Sequence, residues 1–317
     1  MKIVNLDGYT TNPGDLSWDW LGKYGDYTVY DRTSPDEVIE RSNEANALII
    51  NKTIITADML NKLPNLKYIG LQSTGYNVVD CKAAKERGIV VSNIPAYSTN
   101  AVAQLVFAFI LQITNKVSLH SDSVFNGEWC SCPDFCFWKA PLTELDGKIM
   151  GIIGFGSIGQ RVAAIANAFG MSVLVHTPHP KPDKFTNVKF VELDELLANS
   201  DIITCHCPLT PATENLINKN AIAKMKSSAI FINTSRGPVI NDSDLADALN
   251  NGKIQAAGLD VLTVEPPKKD NPLLKAKNCY ITPHIAWAAY ETRKRLLGIL
   301  EENLRAFING KPQNVVN

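Results

Sequence analysis

Residues 148–159 read Lys148-Ile149-Met150-Gly151-Ile152-Ile153-Gly154-Phe155-Gly156-Ser157-Ile158-Gly159, and a helix-forming pattern, Gln160-Arg161-Val162-Ala163-Ala164-Ile165, follows at once. An apolar run that enters G-x-G-x-x-G and leaves as a helix is the signature of a dinucleotide-binding βαβ unit. Each glycine has its own expected task. Gly154 allows the tight turn, Gly156 lets the backbone approach a pyrophosphate, and Gly159 lets the helix pack close to the strand. Ser157 and Ile158 open the helix, whose free N–H groups and positive dipole end suit phosphate oxygens.

Outward from this turn, short apolar runs alternate with helical segments in both directions. Strands are expected at 3–6, 47–51, 68–71 and 89–92, and helices at 35–42, 57–63 and 79–87. Ser34 before Pro35 fits an N-cap followed by proline at the first helical position. A long helix is expected over 99–120, then an irregular stretch over 125–142 with Trp129, Trp138 and three cysteines. The later series places strands at 148–153, 172–176, 202–205, 229–233, 255–259 and 279–282. Helices are expected at 158–169, 193–198, 221–225, 243–251 and 287–308. Alternation of this kind predicts an α/β fold of two doubly wound parallel-sheet domains, a flavodoxin-like one and a Rossmann one. The expected division is discontinuous: 1–98 plus 287–317 as the substrate domain, and 99–286 as the dinucleotide-binding domain.

The second strand of a NAD site ordinarily ends in an acid, about 20 residues after the glycines, that binds the ribose hydroxyls. Here the corresponding stretch is Val175-His176-Thr177-Pro178-His179-Pro180-Lys181, so Thr177 stands at the acidic position. The adenosine end is therefore open to NAD or NADP.

Ligands of open parallel sheets sit beyond the carboxyl ends of the strands. The residues found there are Thr234-Ser235-Arg236-Gly237, Asp260 with Glu265-Pro266, and Pro283-His284. An arginine, two acids and a histidine following successive strands of one sheet point to a catalytic edge. With Gly70-Leu71-Gln72-Ser73-Thr74-Gly75, Cys207-Pro208-Leu209-Thr210 and Thr282-Pro283-His284-Ile285-Ala286, the chain resembles the D-isomer-specific 2-hydroxyacid dehydrogenases over nearly its whole length. The opening Leu6-Asp7-Gly8-Tyr9 and the run Pro283–Trp287 resemble the glycerate dehydrogenase (hydroxypyruvate reductase) branch.

The resemblance implies Arg236 as the clamp on the substrate carboxylate, His284 as general acid–base, and Glu265 as the acid that fixes the imidazole tautomer. It also implies that Ser73, Thr74 and Gly75 offer backbone N–H groups to the substrate. Cofactor contacts are implied at Thr177, Cys207, Pro208, Thr234, Ser235, Asp260 and Ala286. The implied reaction is NAD(P)-dependent reduction of hydroxypyruvate to D-glycerate, with glyoxylate tolerated. The rival reading is a non-catalytic, cofactor-sensing regulatory protein on the same fold. A homodimer is implied by the family.

Composition narrows the partners. Lys plus Arg, 31, nearly balances Asp plus Glu, 32, so no global field favours nucleic acid or an anionic membrane. Seven cysteines over 317 residues read as reduced thiols of a cytoplasmic protein. The cysteines at 130, 132 and 136 lack standard metal-ligand spacing, and no metal is expected. The most apolar stretch, 101–113, is shorter than the roughly 20 residues of a membrane span and is expected to be a buried helix.

Overall fold

The computed structural model describes residues Met1–Asn317, which divide into two compact units: Met1–Ser98 with Ala288–Asn317, and Thr99–Trp287. The first unit holds β1 (Lys2–Asn5), β2 (Asp26–Val29), β3 (Ala47–Ile50), β4 (Tyr68–Leu71) and β5 (Val90–Ser92), all parallel, in the order β2-β1-β3-β4-β5. That is the flavodoxin-like order, with its switch point between β1 and β3. The central strands are buried on both faces and read as unbroken apolar runs. Strand β2 was not expected. It is an exposed edge reading Asp-Tyr-Thr-Val, with no apolar run to betray it.

Helices α1 (Val38–Ser42), α2 (Ala57–Asn61) and α3 (Cys81–Glu86) lie near their expected places. The Glu37 carboxylate accepts from both the N–H and the hydroxyl of Ser34, which closes the first turn after Ser34-Pro35. The chain's last segment returns to this unit. Leu296, Leu300 and Leu304 form a buried stripe at helical spacing, and the Phe307 ring stacks on Tyr68 of β4 with centroids 4.8 Å apart. The final residues pair with the far edge: Val315 bridges Ser92 antiparallel, and Val316 N–H donates to Val91 O at 2.9 Å. An open edge strand is thereby covered.

The second unit begins with α4 (Thr99–Asn115) and α5 (Val117–Phe125). The single helix expected over 99–120 is in fact broken, and the two pieces bend by 54°. Lys116 takes a left-handed conformation at φ 50°, and the buried Thr114 gives its carbonyl to Thr143 N–H, which ends the helical ladder there. No single helix is long and apolar enough to cross a membrane. The apolar residues of α4 face this unit's core: Phe109 and Ile110 pack with Met150 and Ile152.

Seven parallel strands follow: β6 (Ile149–Ile153), β7 (Ser172–His176), β8 (Lys189–Phe190), β9 (Ile202–Cys205), β10 (Ile230–Asn233), β11 (Ala256–Leu259) and β12 (Cys279–Ile281), in the order β12-β11-β10-β9-β6-β7-β8. Counted within the unit, this is the Rossmann order 3-2-1-4-5-6 with one strand added beyond the sixth, and its switch point lies between β6 and β9. The two-residue β8 was not expected. Helix α6 (Ser157–Ala168) packs with α4 on one face, while α7 (Leu193–Asn199), α8 (Lys219–Lys224) and α9 (Asp242–Asn250) cover the other. Alternate residues of β6 serve the two cores, Ile152 on one side and Ile153 on the other. The last helix, α10 (Tyr290–Ile308), starts three residues later than expected and belongs to the first unit.

Candidate active site

The three glycines after β6 meet three different environments. Gly154 has φ +91°, and a Cβ there would sit 2.6 Å from the Cys207 nitrogen, so the turn closes tightly over the end of β9. At Gly159 a Cβ would lie 2.4 Å from Gly154 O, which keeps α6 close to its strand. Gly156 differs: its backbone is extended at φ −74° and ψ −166°, and a Cβ would meet nothing within 4 Å. The protein itself does not demand glycine at that position, but a ligand seated against the backbone would. No side-chain oxygen caps α6 at this end, so its first N–H groups remain for an anion.

Two more groups point the same way. Thr234 Oγ1, at the end of β10, and His206 Nδ1, at the end of β9, are buried without a hydrogen-bond partner. Burial holds the His206 imidazole down at about 3, so the ring is neutral, with Nε2 3.0 Å from Thr204 Oγ1. Orphaned polar atoms at the sheet's carboxyl edge are what a polar ligand would satisfy. A cavity of about 550 Å³ opens there, lined by Gly154, Gly156, Thr177, His206, Cys207 and Pro208. The residues present therefore fit a dinucleotide. His206 went unnoticed in the sequence, although it directly precedes Cys207-Pro208.

The edge formed by β10, β11 and β12 carries the ionisable groups. Asn233 is fully buried. Its Oδ1 accepts from the N–H and the hydroxyl of Ser235 at 3.0 and 2.8 Å, and its Nδ2 donates to Arg236 O at 3.0 Å. This Asx-type turn presents Arg236 at the surface. One guanidinium N–H donates to Ser235 O at 2.7 Å, leaving the rest of the fork for a carboxylate. A Cβ on Gly237 would fall 1.9 Å from Leu262 O, so only glycine lets the arginine loop lie against the loop that carries Glu265.

His284 Nδ1 lies 2.6 Å from Glu265 Oε2, with both side chains about one-third exposed. The other carboxylate oxygen accepts Leu262 N–H at 3.1 Å, which fixes the plane of the acid. A carboxylate facing Nδ1 makes that nitrogen the N–H donor, and Nε2 is the nitrogen left to exchange a proton. His284 sits at φ +55°, an uncommon conformation for a side chain of this size. The holding force comes from Asp260, which is 1% exposed. Its Oδ1 accepts the Thr282 hydroxyl at 2.6 Å and Ile285 N–H at 2.8 Å, and its Oδ2 accepts Ala286 N–H at 2.8 Å. Burial is the largest influence on this carboxyl and raises its pKa, while these hydrogen bonds act against the rise. Through these three bonds Asp260, expected against the cofactor, also braces the turn bearing His284.

Ser73, Thr74 and Gly75 belong to the first unit, after β4. Ser73 Oγ donates to Gly75 O and Thr74 Oγ1 to Ile94 O, both at 2.7 Å, while Ile94 N–H and Asn93 Nδ2 occupy the carbonyls of residues 73 and 74. The loop's carbonyls and hydroxyls are thus used internally, and its N–H groups are what it offers outward. In the 125–142 segment, Trp138 is 69% exposed.

Comparison with known proteins agrees with this geometry. Residues 107–286 match the model of the D-isomer specific 2-hydroxyacid dehydrogenase, NAD binding domain. The chain is 54% identical to a hydroxypyruvate reductase of Blautia hydrogenotrophica, covering 100% of both chains. It is 41% identical to a glycerate dehydrogenase of Methylorubrum extorquens, over 99% of this chain and 98% of that one. Among solved structures, an acyclic imino acid reductase in complex with NADPH and D-Arg superposes with a TM-score of 0.86 at 34% identity, over 100% of both chains. The chain belongs to the D-isomer-specific 2-hydroxyacid dehydrogenase family, oxidoreductases that work with a nicotinamide dinucleotide.

Proposed function

We propose that this enzyme reduces hydroxypyruvate to D-glycerate, accepts glyoxylate less well, and runs the reaction in reverse from the hydroxyacid. The observation that carries the reading is the Glu265–His284 pair at 2.6 Å, whose members follow β11 and β12, the next two strands beyond β10; the exposed Arg236 follows β10 at the same carboxyl edge of the dinucleotide-binding sheet. The names of the relatives at 54% and 41% identity support the choice of substrate.

When bound, the dinucleotide supplies the hydride. The chain's own groups handle charge and protons. Arg236 takes the substrate carboxylate in a two-pronged, charge-assisted contact, which a lysine matches poorly. His284 protonates the C2 oxygen from Nε2 in the reducing direction and takes that proton back in oxidation, while Glu265 keeps Nδ1 as donor. Asp260 and Asn233 act as positioning residues for the two turns. Ser73, Thr74 and Gly75 offer N–H groups of the kind that receive a carboxylate. Thr234, Ser235, Cys207, Pro208 and Ala286 are assigned to the cofactor side, together with Thr177.

The segment 117–142 is proposed as the surface on which a second copy docks. Phe125, Trp129, Phe135 and Trp138 are 87%, 51%, 89% and 69% exposed, an apolar concentration that a lone soluble chain seldom carries. Seven free thiols suit a reducing, cytoplasmic setting. Nothing favours the purely regulatory reading, which gives the His284–Glu265 pair no work.

The test is direct. Purified protein should oxidise a reduced nicotinamide cofactor on adding hydroxypyruvate. His284→Gln should lower kcat by about 10²–10⁴-fold with the cofactor Kd nearly unchanged. Absence of turnover with any small 2-oxoacid, or an unimpaired glutamine variant, would refute the assignment.

A further inference from the structure

The adenosine end of the cavity has a charge pattern that the reaction does not explain. Its lining includes Thr177, His179, Lys181 and Lys184 and contains no aspartate or glutamate. Thr177 directly follows β7, where a carboxylate would accept hydrogen bonds from the two ribose hydroxyls and repel any phosphate placed on one of them. The same position here carries a neutral hydroxyl, with two cationic side chains beyond it.

The backbone around these groups is unusually stiff. Pro178, Pro180 and Pro182 alternate with His179 and Lys181, so φ is fixed at every second residue and each intervening residue is restricted by the proline after it. The Lys184 N–H donates to Lys181 O at 3.1 Å, closing a short turn that holds both lysines on one loop. The neighbouring acids lie outside this cavity. Glu195 lines the adjacent hollow with Glu192, and its Oε1 is taken by Lys189 Nζ at 2.7 Å. Asp183 does not line the cavity.

We infer that Thr177, Lys181 and Lys184 form a receptor for a phosphate on the adenosine 2′-oxygen, so that this enzyme prefers NADPH to NADH. The inference rests on the dehydrogenase reading above and assigns specificity to residues of this chain alone. Thr177 leaves room for the phosphate, and the two lysines supply opposite charge. A charge-assisted contact of this kind contributes about tenfold or more in affinity, and the effect should weaken as salt rises.

The experiment uses the intact protein and a binding readout. Adenosine 2′,5′-bisphosphate and AMP, which differ only in the 2′-phosphate, are titrated by calorimetry, and NADPH and NADH by their fluorescence on binding. The bisphosphate should bind at least tenfold tighter than AMP, and K181A/K184A should bring the ratio to within about twofold. Should the double variant fail to fold by circular dichroism, T177D serves instead, because a carboxylate there should invert the preference toward NADH. Equal binding of the two nucleotides in the wild type, or a ratio unchanged in the folded variant, overturns the inference. If NADH still binds and supports hydroxypyruvate turnover, only the 2′-phosphate receptor falls. If no nucleotide binds at all, the dinucleotide reading falls with it.

Discussion

Replacing Asp260 with asparagine removes one charge and almost no volume, and the hydrogen-bond geometry dictates the outcome. The carboxylate serves three donors: Thr282 Oγ1 and Ile285 N–H on Oδ1, and Ala286 N–H on Oδ2. An asparagine has one oxygen. If that oxygen replaces Oδ1, the new NH2 group faces Ala286 N–H. If the amide is flipped, it faces Ile285 N–H, while the Thr282 hydroxyl turns and accepts. Either orientation leaves one backbone N–H buried against another donor, a cost of about 1–3 kcal/mol.

Part of that cost is returned, because burial raises the pKa of Asp260 above 3.8. The sign follows from linkage: a raised folded pKa means the native state holds the proton more tightly. The group's favourable contribution is therefore complete below pH 3.8 and fades as pH rises through the lifted value. At neutral pH the wild type keeps a desolvated charge that asparagine does not, so the net loss should be about 1–2 kcal/mol. The turn bearing His284 at φ +55° loses a restraint with it. A loosening of about 1 Å at the acid–base group corresponds to roughly 10²-fold in rate. Hydrogen exchange of residues 280–290, read alongside kcat and cofactor Kd, separates the possibilities. Faster exchange at Ile285 and Ala286 with a depressed kcat and an intact Kd is the expected result. A raised Kd with unchanged kcat and unchanged exchange would refute the brace and leave Asp260 only the cofactor contact that the family resemblance implied.

Three further outcomes are expected. Gly156→Ala should weaken dinucleotide binding in titration at little cost in thermal stability, since a Cβ there meets nothing of the protein within 4 Å; Gly159→Ala, forced to within 2.4 Å of Gly154 O, should lower Tm more. Glu265→Gln should depress kcat with little change in KM, because an amide can turn either its oxygen or its NH2 toward Nδ1 and so no longer fixes which ring nitrogen carries the proton; an unchanged kcat would remove the assigned role. Deleting residues 313–317 should destabilise the first unit and promote association, because the edge of β5 loses its cover from Val315 and Val316. Light scattering that matches the full-length chain would count against this.

The sequence made the fold legible wherever burial imposes a continuous apolar pattern. The central strands β3, β4, β9 and β10 are buried at every residue, and each is visible as a short, mainly apolar run. Pattern fails where burial fails. β2 is almost wholly exposed and β8 is two residues long, so neither leaves a periodic trace. The break at Lys116 escaped for a different reason. No glycine or proline marks it; it depends on a hydrogen bond from Thr143 to Thr114, a partner 29 residues away whose arrival no local propensity predicts.

The same division runs through the site. Arg236, Glu265 and His284 could be found because chemistry of that kind at the ends of successive strands is improbable by chance, and topology then does the gathering. The support beneath them was legible only in part: Asp260 stood out among the strand-end acids, but its hydrogen bonds to the turn bearing His284, and those of Asn233, exist only in the folded chain. Each is at most 1% exposed; Asn233 makes three hydrogen bonds to the turn that follows it, and Asp260, after β11, accepts three from the turn after β12. A buried side chain that spends every bond on one loop gains stability only in proportion to how firmly that loop is fixed. Both loops end in a group with spare capacity: four unused guanidinium N–H groups on Arg236, and Nε2 of His284. Rigidity supplied from beneath and hydrogen-bonding capacity left open above are the two requirements of an active site that must orient a small anion and exchange one proton with it. The Asp260→Asn and Glu265→Gln variants separate these requirements, since the first removes support from the turn and the second changes only the group facing the imidazole.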